Sequence, residues 1–412
     1  MKFDIVCLPT VPAQGDDRTR LRPIGRNREK VQEMYQQVIE VCVAAEAAGF
    51  DAFSTTEHHF HTEGFELAPA PVVLYSHLAA ICDRIAFAPL GMVLTTWDPI
   101  RLAEELAVLD HLSRGRLYVG LARGYQPRWT DIMGQHYSVQ GATMDGSAVD
   151  EHNREVFEEM LDILLTAWTC ETFDYDGKFY KVPAPRDGIT WPVHELTRQF
   201  GAPDELNEDG KVVKIGVVPG PYQTPHPPLW QGYAASQKTV LRCARMGITP
   251  FLIIAEPEMF RDWCVEYQAV AASVGRALAV GEGVGASRSV TFGDTFEEAY
   301  ELGVRTTGAA FEEYFAKFGF MEAFRRPTDP PTRDLGLKGP REVFQRLLEG
   351  GFAICGTPDD VTRGVEQVAR CHGDGQLEWF SWNLFQQGYA SRDVYLRQIE
   401  LFEKHVIKEF SE

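Results

Sequence analysis

The 412-residue chain predicts an α/β fold: a closed (β/α)8 TIM barrel, with insertions between strands four and five and after strand seven. Three observations carry that reading. Strand-like and helix-like segments alternate, and eight strand-like segments can be counted. No G-x-G-x-x-G follows the first of them, which weakens the rival open, doubly wound sheet.

Taken in order, residues 3–8 read as a strand, although Asp4 places an acid inside the apolar run. Residues 29–48 set Val31, Met34, Tyr35, Val38, Ile39 and Cys42 at spacings of three and four, the stripe of an amphipathic helix, and Gly49 stands where a C-terminal glycine belongs. Strand 52–56, helix 71–82, strand 85–95, helix 99–112 and strand 116–122 continue the rhythm. It resumes after a long gap with strand 229–233, helix 236–246, strand 249–254, helix 257–274 and strand 289–292. Helix 358–371, strand 379–384 and helix 392–408 close it. Such a barrel needs only about 250 residues. The excess falls in 183–228, rich in proline, glycine and charge, and in 305–351, which carries Phe311, Tyr314, Phe315, Phe318, Phe320 and Phe324. The second insertion reads either as a lid over the site or as a hairpin packed outside the barrel or in a dimer interface. Residues 1–412 are thus taken as one barrel domain.

Apolar residues make up 44% and charged residues 24%, ordinary for a globular chain, and the net charge of −19 argues against nucleic-acid or anionic-membrane partners. Eight scattered cysteines without a C-x-x-C pair read as buried thiols in a reducing cytosol. The start of the chain is not of signal-peptide type and no stretch is apolar enough to span a membrane, so the expected location is the cytoplasm.

In a barrel the C-terminal ends of strands face the active site. Glu57, His58 and His59 end strand two, two histidines beside a carboxylate, which suits proton handling. His59-Phe60-His61 also spells the H-x-H of barrel metallohydrolases, but strands five and six hold no histidine and strand eight no aspartate, so no metal is expected. Ser236, Gln237, Lys238 and Thr239 open a helix after strand five, where free N–H groups and hydroxyls suit a phosphate, and Arg123 after strand four offers a forked cation to the same group. Gly281 to Gly285 reads as a turn, Thr357 to Asp360 as helix capping, and Asp110 as an anchor for the turn at Arg114.

Together, Glu57-His58-His59-Phe60, the run Asp98-Pro99-Ile100-Arg101-Leu102-Ala103-Glu104, and Leu112-Ser113-Arg114-Gly115-Arg116 make the chain resemble the bacterial-luciferase-like, flavin-dependent monooxygenases. The resemblance is clearest over 1–125 and 228–254. It implies a barrel that binds reduced FMN at the strands' C-terminal ends and is served by a separate flavin reductase. His58 would assist formation and breakdown of a flavin peroxide, with His59 and Glu57 orienting it. Arg123, Ser236 and Thr239 would grip the FMN phosphate. Leu90-Gly91 falls where the family often places a non-proline cis peptide against the flavin ring. Trp97, Tyr125, Tyr233 and Trp382 are candidate walls. Ala235 and Ala122 stand where luciferases have an acid and a cysteine, which argues against light emission.

The implied reaction oxygenates a small, apolar organic substrate with O2, by Baeyer–Villiger, aldehyde-oxidising or hydroxylating chemistry, in a homodimer. A deazaflavin-dependent hydride-transfer oxidoreductase and a non-catalytic flavin-binding subunit are the alternatives.

Overall fold

The structure, a computed structural model, describes residues 1–13, 15–143, 146–332 and 334–410. Eight parallel strands form the barrel: β1 (Lys2–Cys7), β2 (Ala52–Thr55), β3 (Ala86–Val93), β4 (Val119–Ala122), β5 (Leu229–Ala234), β6 (Thr249–Leu252), β7 (Gly285–Phe292) and β8 (Trp379–Leu384). They pair in chain order, and β8 against β1 seals the ring. Around it lie α1 (Arg28–Ala48), α2 (Pro71–Ala79), α3 (Pro99–Ser113), α4 (Ala148–Thr169), α5 (Gln237–Met246), α6 (Pro257–Ser273), α7 (Pro358–Ala369) and α8 (Arg392–Phe402). The closed parallel barrel expected from the sequence is the fold observed.

Local chemistry accounts for the element ends. Asn27 caps α1 by accepting from the Lys30 N–H at 3.0 Å, and Gly49 ends it at φ 89°. Asp98 caps α3 in the same way, and Thr357 with Asp360 forms a capping box at α7.

Strand alternation separates two cores. Phe3, Ile5 and Cys7 pack outward against the helices, whereas Val6 and Leu8 join Ala52, Leu90, Trp230 and Trp379 inside the barrel. Asp4 shares the inner face, where the Ser54 and Ser381 hydroxyls donate to its two oxygens, each at 2.6 Å. Burial pushes its carboxyl up to about 7 despite those two bonds. An acid raised on folding costs stability as pH climbs from 3.8 to about 7, because the unfolded chain gives up the proton first. Stability should fall across that window by something on the order of 4 kcal/mol, at ~1.4 kcal/mol per pH unit. Asp4→Asn should flatten the fall; urea unfolding of both proteins across the window reads it, and parallel profiles would contradict it.

Several elements differ from the sequence expectation. Helix α4 fills part of the gap, burying Val156, Phe157, Met160, Leu161 and Leu164 along one stripe. Strand β7 begins at Gly285, earlier than expected, where an added Cβ would lie 2.6 Å from the Phe251 ring. Its second half pairs with an unexpected strand, Ala353–Gly356. Asp110 anchors the turn at Arg114 through its carbonyl, which accepts from the Gly115 N–H at 2.9 Å, and its side chain also holds the first insertion, accepting from the Gln223 backbone and side chain, both at 2.8 Å. Seven cysteines are buried thiols as expected, but Cys170 is exposed.

The second insertion starts directly after helix Phe296–Gly303, in the turn Val304–Gly308. Its Phe311, Tyr314, Phe315 and Phe324 are continuous with the inner core, and Phe318 and Phe320 meet Tyr125 and Tyr233 at 5.2 and 6.0 Å between ring centroids. It therefore covers the C-terminal mouth of the barrel; it is not a hairpin on the outer wall. Among the described residues no helix is long and apolar enough to cross a membrane.

Candidate active site

Beyond Thr55 the chain turns into the mouth, and Phe60 and Glu66 take left-handed φ values of 64° and 47°. Such backbone is uncommon away from glycine and concentrates at functional sites. The loop is fastened where the His58 N–H donates to the Ala68 carbonyl and the Leu67 N–H to Pro9, at 3.2 and 2.6 Å.

The expected trio divides in two. Glu57 accepts from the Val93 N–H at 2.7 Å and from the Trp97 indole at 3.0 and 3.1 Å, and its Oε1 lies 3.0 Å from His59 Nε2. It orients His59 and ties β2 to the end of β3. It does not orient His58, because adjacent residues of extended backbone point opposite ways. His58 instead turns Nδ1 to Thr56 Oγ1 at 2.9 Å and to Glu66 Oε2 at 3.3 Å. Burial drives its imidazole well below the ordinary 6.5, helped by His61 and His59, so the ring is neutral at pH 7. Among the described residues no protein group is hydrogen-bonded to its Nε2, and Tyr125 and Trp129 stand edge-on at 6.0 and 6.3 Å.

His59 and His61 do not converge on one point. The His61 Nδ1–H donates to the Phe65 carbonyl at 2.7 Å, and Nε2 lies 2.7 Å from Gln126 Oε1, which also accepts from the Trp129 indole at 2.9 Å. The described residues contain no cluster of metal-ligating side chains. Glu66, Gln126 and Tyr314, whose hydroxyl lies 3.3 Å from His61 Nε2, were not foreseen as site residues. For Glu66 the signal was available: an acid between Phe65 and Leu67-Ala68.

A second cluster lies at the ends of β4 and β5. Arg123 donates to Asp150 Oδ1 at 2.7 Å, and Arg154 lies 3.5 Å from the other oxygen. Arg242, on α5, donates to Gln231 at 3.1 Å and has a buried Nε with no partner. Burial lowers its pKa, and the nearby charges of Arg123 and Arg154 add to this. Ser236 caps α5, its Oγ 2.9 Å from Thr239 Oγ1; Ser236 is exposed and Thr239 half-buried. Arg242 shares α5 with Thr239 and feels the charges of both Arg123 and Arg154. Guanidinium groups in excess over the Asp150 carboxylate, an orphaned buried N–H and a helix N-terminus fit a dianionic phosphate.

Leu90 and Gly91 lie at a bulge in β3, with register lost between Leu90 and Met92. The expected cis peptide is absent: every cis bond among the described residues precedes proline. Gly91 takes φ 124° at the bend, backbone that favours glycine. Of the expected walls, Tyr125 and Tyr233 meet the aromatic cover, and the Tyr233 hydroxyl donates to Asn383 at 2.8 Å. Trp97 holds Glu57. Trp382 faces outward between Phe50 and Phe402, since Asn383 takes the inward position beside it. Under the cover a space of about 10 Å³ remains, lined by Glu66, Tyr314, Phe385 and Gln387. A groove of about 740 Å³, between Arg101 and Pro183, contains none of these site residues.

Known proteins share the family pattern and the fold. The pattern of the family described as luciferase-like monooxygenase matches residues 1–375. The chain is 22% identical to 3,6-diketocamphane 1,6-monooxygenase of Pseudomonas putida, over 93% of this chain and 95% of the relative. Its fold is similar to the oxygenating constituent of the P. putida 3,6-diketocamphane monooxygenase, a type II Baeyer–Villiger monooxygenase solved in complex with FMN. The TM-score is 0.70 at 19% identity, over 99% of this chain and 98% of that one. The coenzyme F420-dependent tetrahydromethanopterin reductase of Methanopyrus kandleri has a similar fold too, with a TM-score of 0.60 at 15% identity over 99% of both chains.

Proposed function

Because the chain belongs to the luciferase-like monooxygenase family, we propose that it is the oxygenase of a two-component system, taking reduced FMN from a separate reductase. One oxygen atom of O2 goes to a small, apolar organic substrate. The observation that carries this reading is a buried His58 after β2 together with the cluster of Arg123, Arg154 and Arg242 around Asp150 and the start of α5. The 3,6-diketocamphane relative supports a ketone as substrate and Baeyer–Villiger insertion as the reaction.

Arg123, Arg154 and Arg242 would hold the FMN phosphate with the N-terminus of α5, where Ser236 and Thr239 add hydroxyls. Leu90 and Gly91, at the bulge of β3, are the backbone we assign to the flavin ring. Bound there, reduced FMN supplies the electrons that activate O2. His58 holds a proton at Nε2 and faces the chamber; His59, fixed by Glu57, and Trp129 back it. The aromatic cover excludes water, which protects a reactive oxygen species from discharge to solvent. We also propose a homodimer, as the family resemblance implies, and a place in the cytoplasm, as the apolar pattern of the chain suggests.

Anaerobic titration tests the cofactor assignment. Reduced FMN should bind at least tenfold more tightly than the reduced deazaflavin, because the three clustered guanidinium groups suit a terminal, dianionic phosphate. Tighter binding of the deazaflavin, followed by substrate reduction without O2, would replace this reading with a hydride-transfer enzyme.

A further inference from the structure

Behind His58 lies a carboxyl group with no cation of its own. Glu66 is 3% exposed, pairs with no lysine or arginine among the described residues, and leaves Oε2 without a well-formed hydrogen bond, 3.3 Å from His58 Nδ1. The groups around it are His58 and His61 on its own loop, Tyr125 after β4, Tyr233 on β5, Tyr314 from the cover and Tyr389 after β8. Two arginines that reach this loop are engaged elsewhere, Arg128 on Glu63 and Arg18 on the Phe65 ring and the Glu63 carbonyl. A buried carboxylate with no cation, and with no donor on Oε2, is costly, and a protonated one needs an acceptor. The acceptor that faces Oε2 is a ring nitrogen of a neutral histidine.

We propose that Glu66 is the positioning residue for His58: its carboxyl proton faces Nδ1, keeps the ring in the Nε2–H tautomer, and passes to Nδ1 when Nε2 gives its proton to an anionic oxygen in the chamber. In that step the Nε2–H bond breaks as the acceptor O–H forms, and the Oε2–H bond breaks as Nδ1–H forms. The negative charge ends on the Glu66 carboxylate, and its proton is regained from solvent when the cover opens. Thr56, also at Nδ1, serves the same tautomer when its hydroxyl donates. The inference rests on the reading of His58 as the chamber's proton group. It adds the source of the second proton and ties that source to the aromatic cover through Tyr314.

Nitrogen spectra of labelled histidine in the cofactor-free protein read the tautomer directly. Burial pushes the Glu66 carboxyl up to about 8, while Tyr314 and Gln126 hold it down. His58 should therefore be in the Nε2–H form at neutral pH and shift toward the Nδ1–H form with a midpoint near 8, as Glu66 ionises and begins to accept. Glu66→Gln should abolish that step. Tyr314→Phe removes a bond that favours the carboxylate, so the midpoint should rise by roughly half a pH unit or more; this variant decides the matter if Glu66→Gln does not fold. An alkaline step that persists in Glu66→Gln, a midpoint unmoved in Tyr314→Phe, or no step in the wild-type protein from about pH 6 to about pH 9.5 would overturn the proposal. Failed oxygenation assays would leave these spectra unchanged, so the two readings fail separately.

Discussion

His58→Ala should lower kcat for substrate oxygenation by roughly 10²–10⁴-fold, the range for losing a positioned proton-transfer group. Binding of reduced FMN should stay close to wild type, because its proposed phosphate anchors lie across the mouth at Arg123 and α5. Oxygen consumption should continue but end in hydrogen peroxide rather than product. The ratio of product to peroxide is the diagnostic readout, since a merely structural loss would depress both together. His58 is already neutral well below pH 6.5, so the wild-type rate should show no acid limb from this ring near 6.5. Full retention of oxygenation in His58→Ala would move the proton role elsewhere. Absence of turnover in the wild-type protein with every ketone, aldehyde and alkene tried would favour a flavin-binding subunit without catalysis.

Arg123→Ala should weaken binding of reduced FMN by roughly 10–100-fold, the equivalent of one charged hydrogen bond at 1.5–3 kcal/mol. Fold stability should change little, because Arg154 remains 3.5 Å from Asp150 and still neutralises it. The salt dependence of binding should also shrink, since one cation fewer meets the phosphate. Anaerobic fluorescence titration at two ionic strengths measures both effects. An unchanged dissociation constant would place the phosphate away from Arg123 and leave the guanidinium as a partner of Asp150 alone.

Most of the barrel was legible because its signals are local. Asn27, Gly49, Asp98 and Thr357 mark helix ends through their own backbone chemistry, and apolar strands between them admit few foldings. The sequence pattern shortens strand β7 because Gly285, which packs against the Phe251 ring, resembles a turn residue when its neighbour across the sheet is unseen. Strand Ala353–Gly356 is four residues long and exists only through its pairing with β7. In the site, Arg123, Ser236 and Thr239 follow from position at strand and helix ends. Arg154 and Arg242 do not: each lies along a helix, and only tertiary packing brings both to Arg123. The same holds for Glu66 and Tyr314, 248 residues apart in the chain yet both lining the space under the cover. Trp382 was misplaced by one step of strand alternation, which composition alone cannot fix. The Glu57–His59 and His58–Glu66 pairings show the same limit, since neighbouring histidines turn to opposite sides of the chain.

The central claim is that this chain moves one atom of O2 to an organic molecule. It is tested most directly by a single turnover with reduced FMN, a cyclic ketone and ¹⁸O2, read by mass spectrometry. One ¹⁸O atom per product molecule, in a lactone formed without nicotinamide present, is the predicted result. Product lacking ¹⁸O, or reduction of the ketone in the absence of O2, would contradict it.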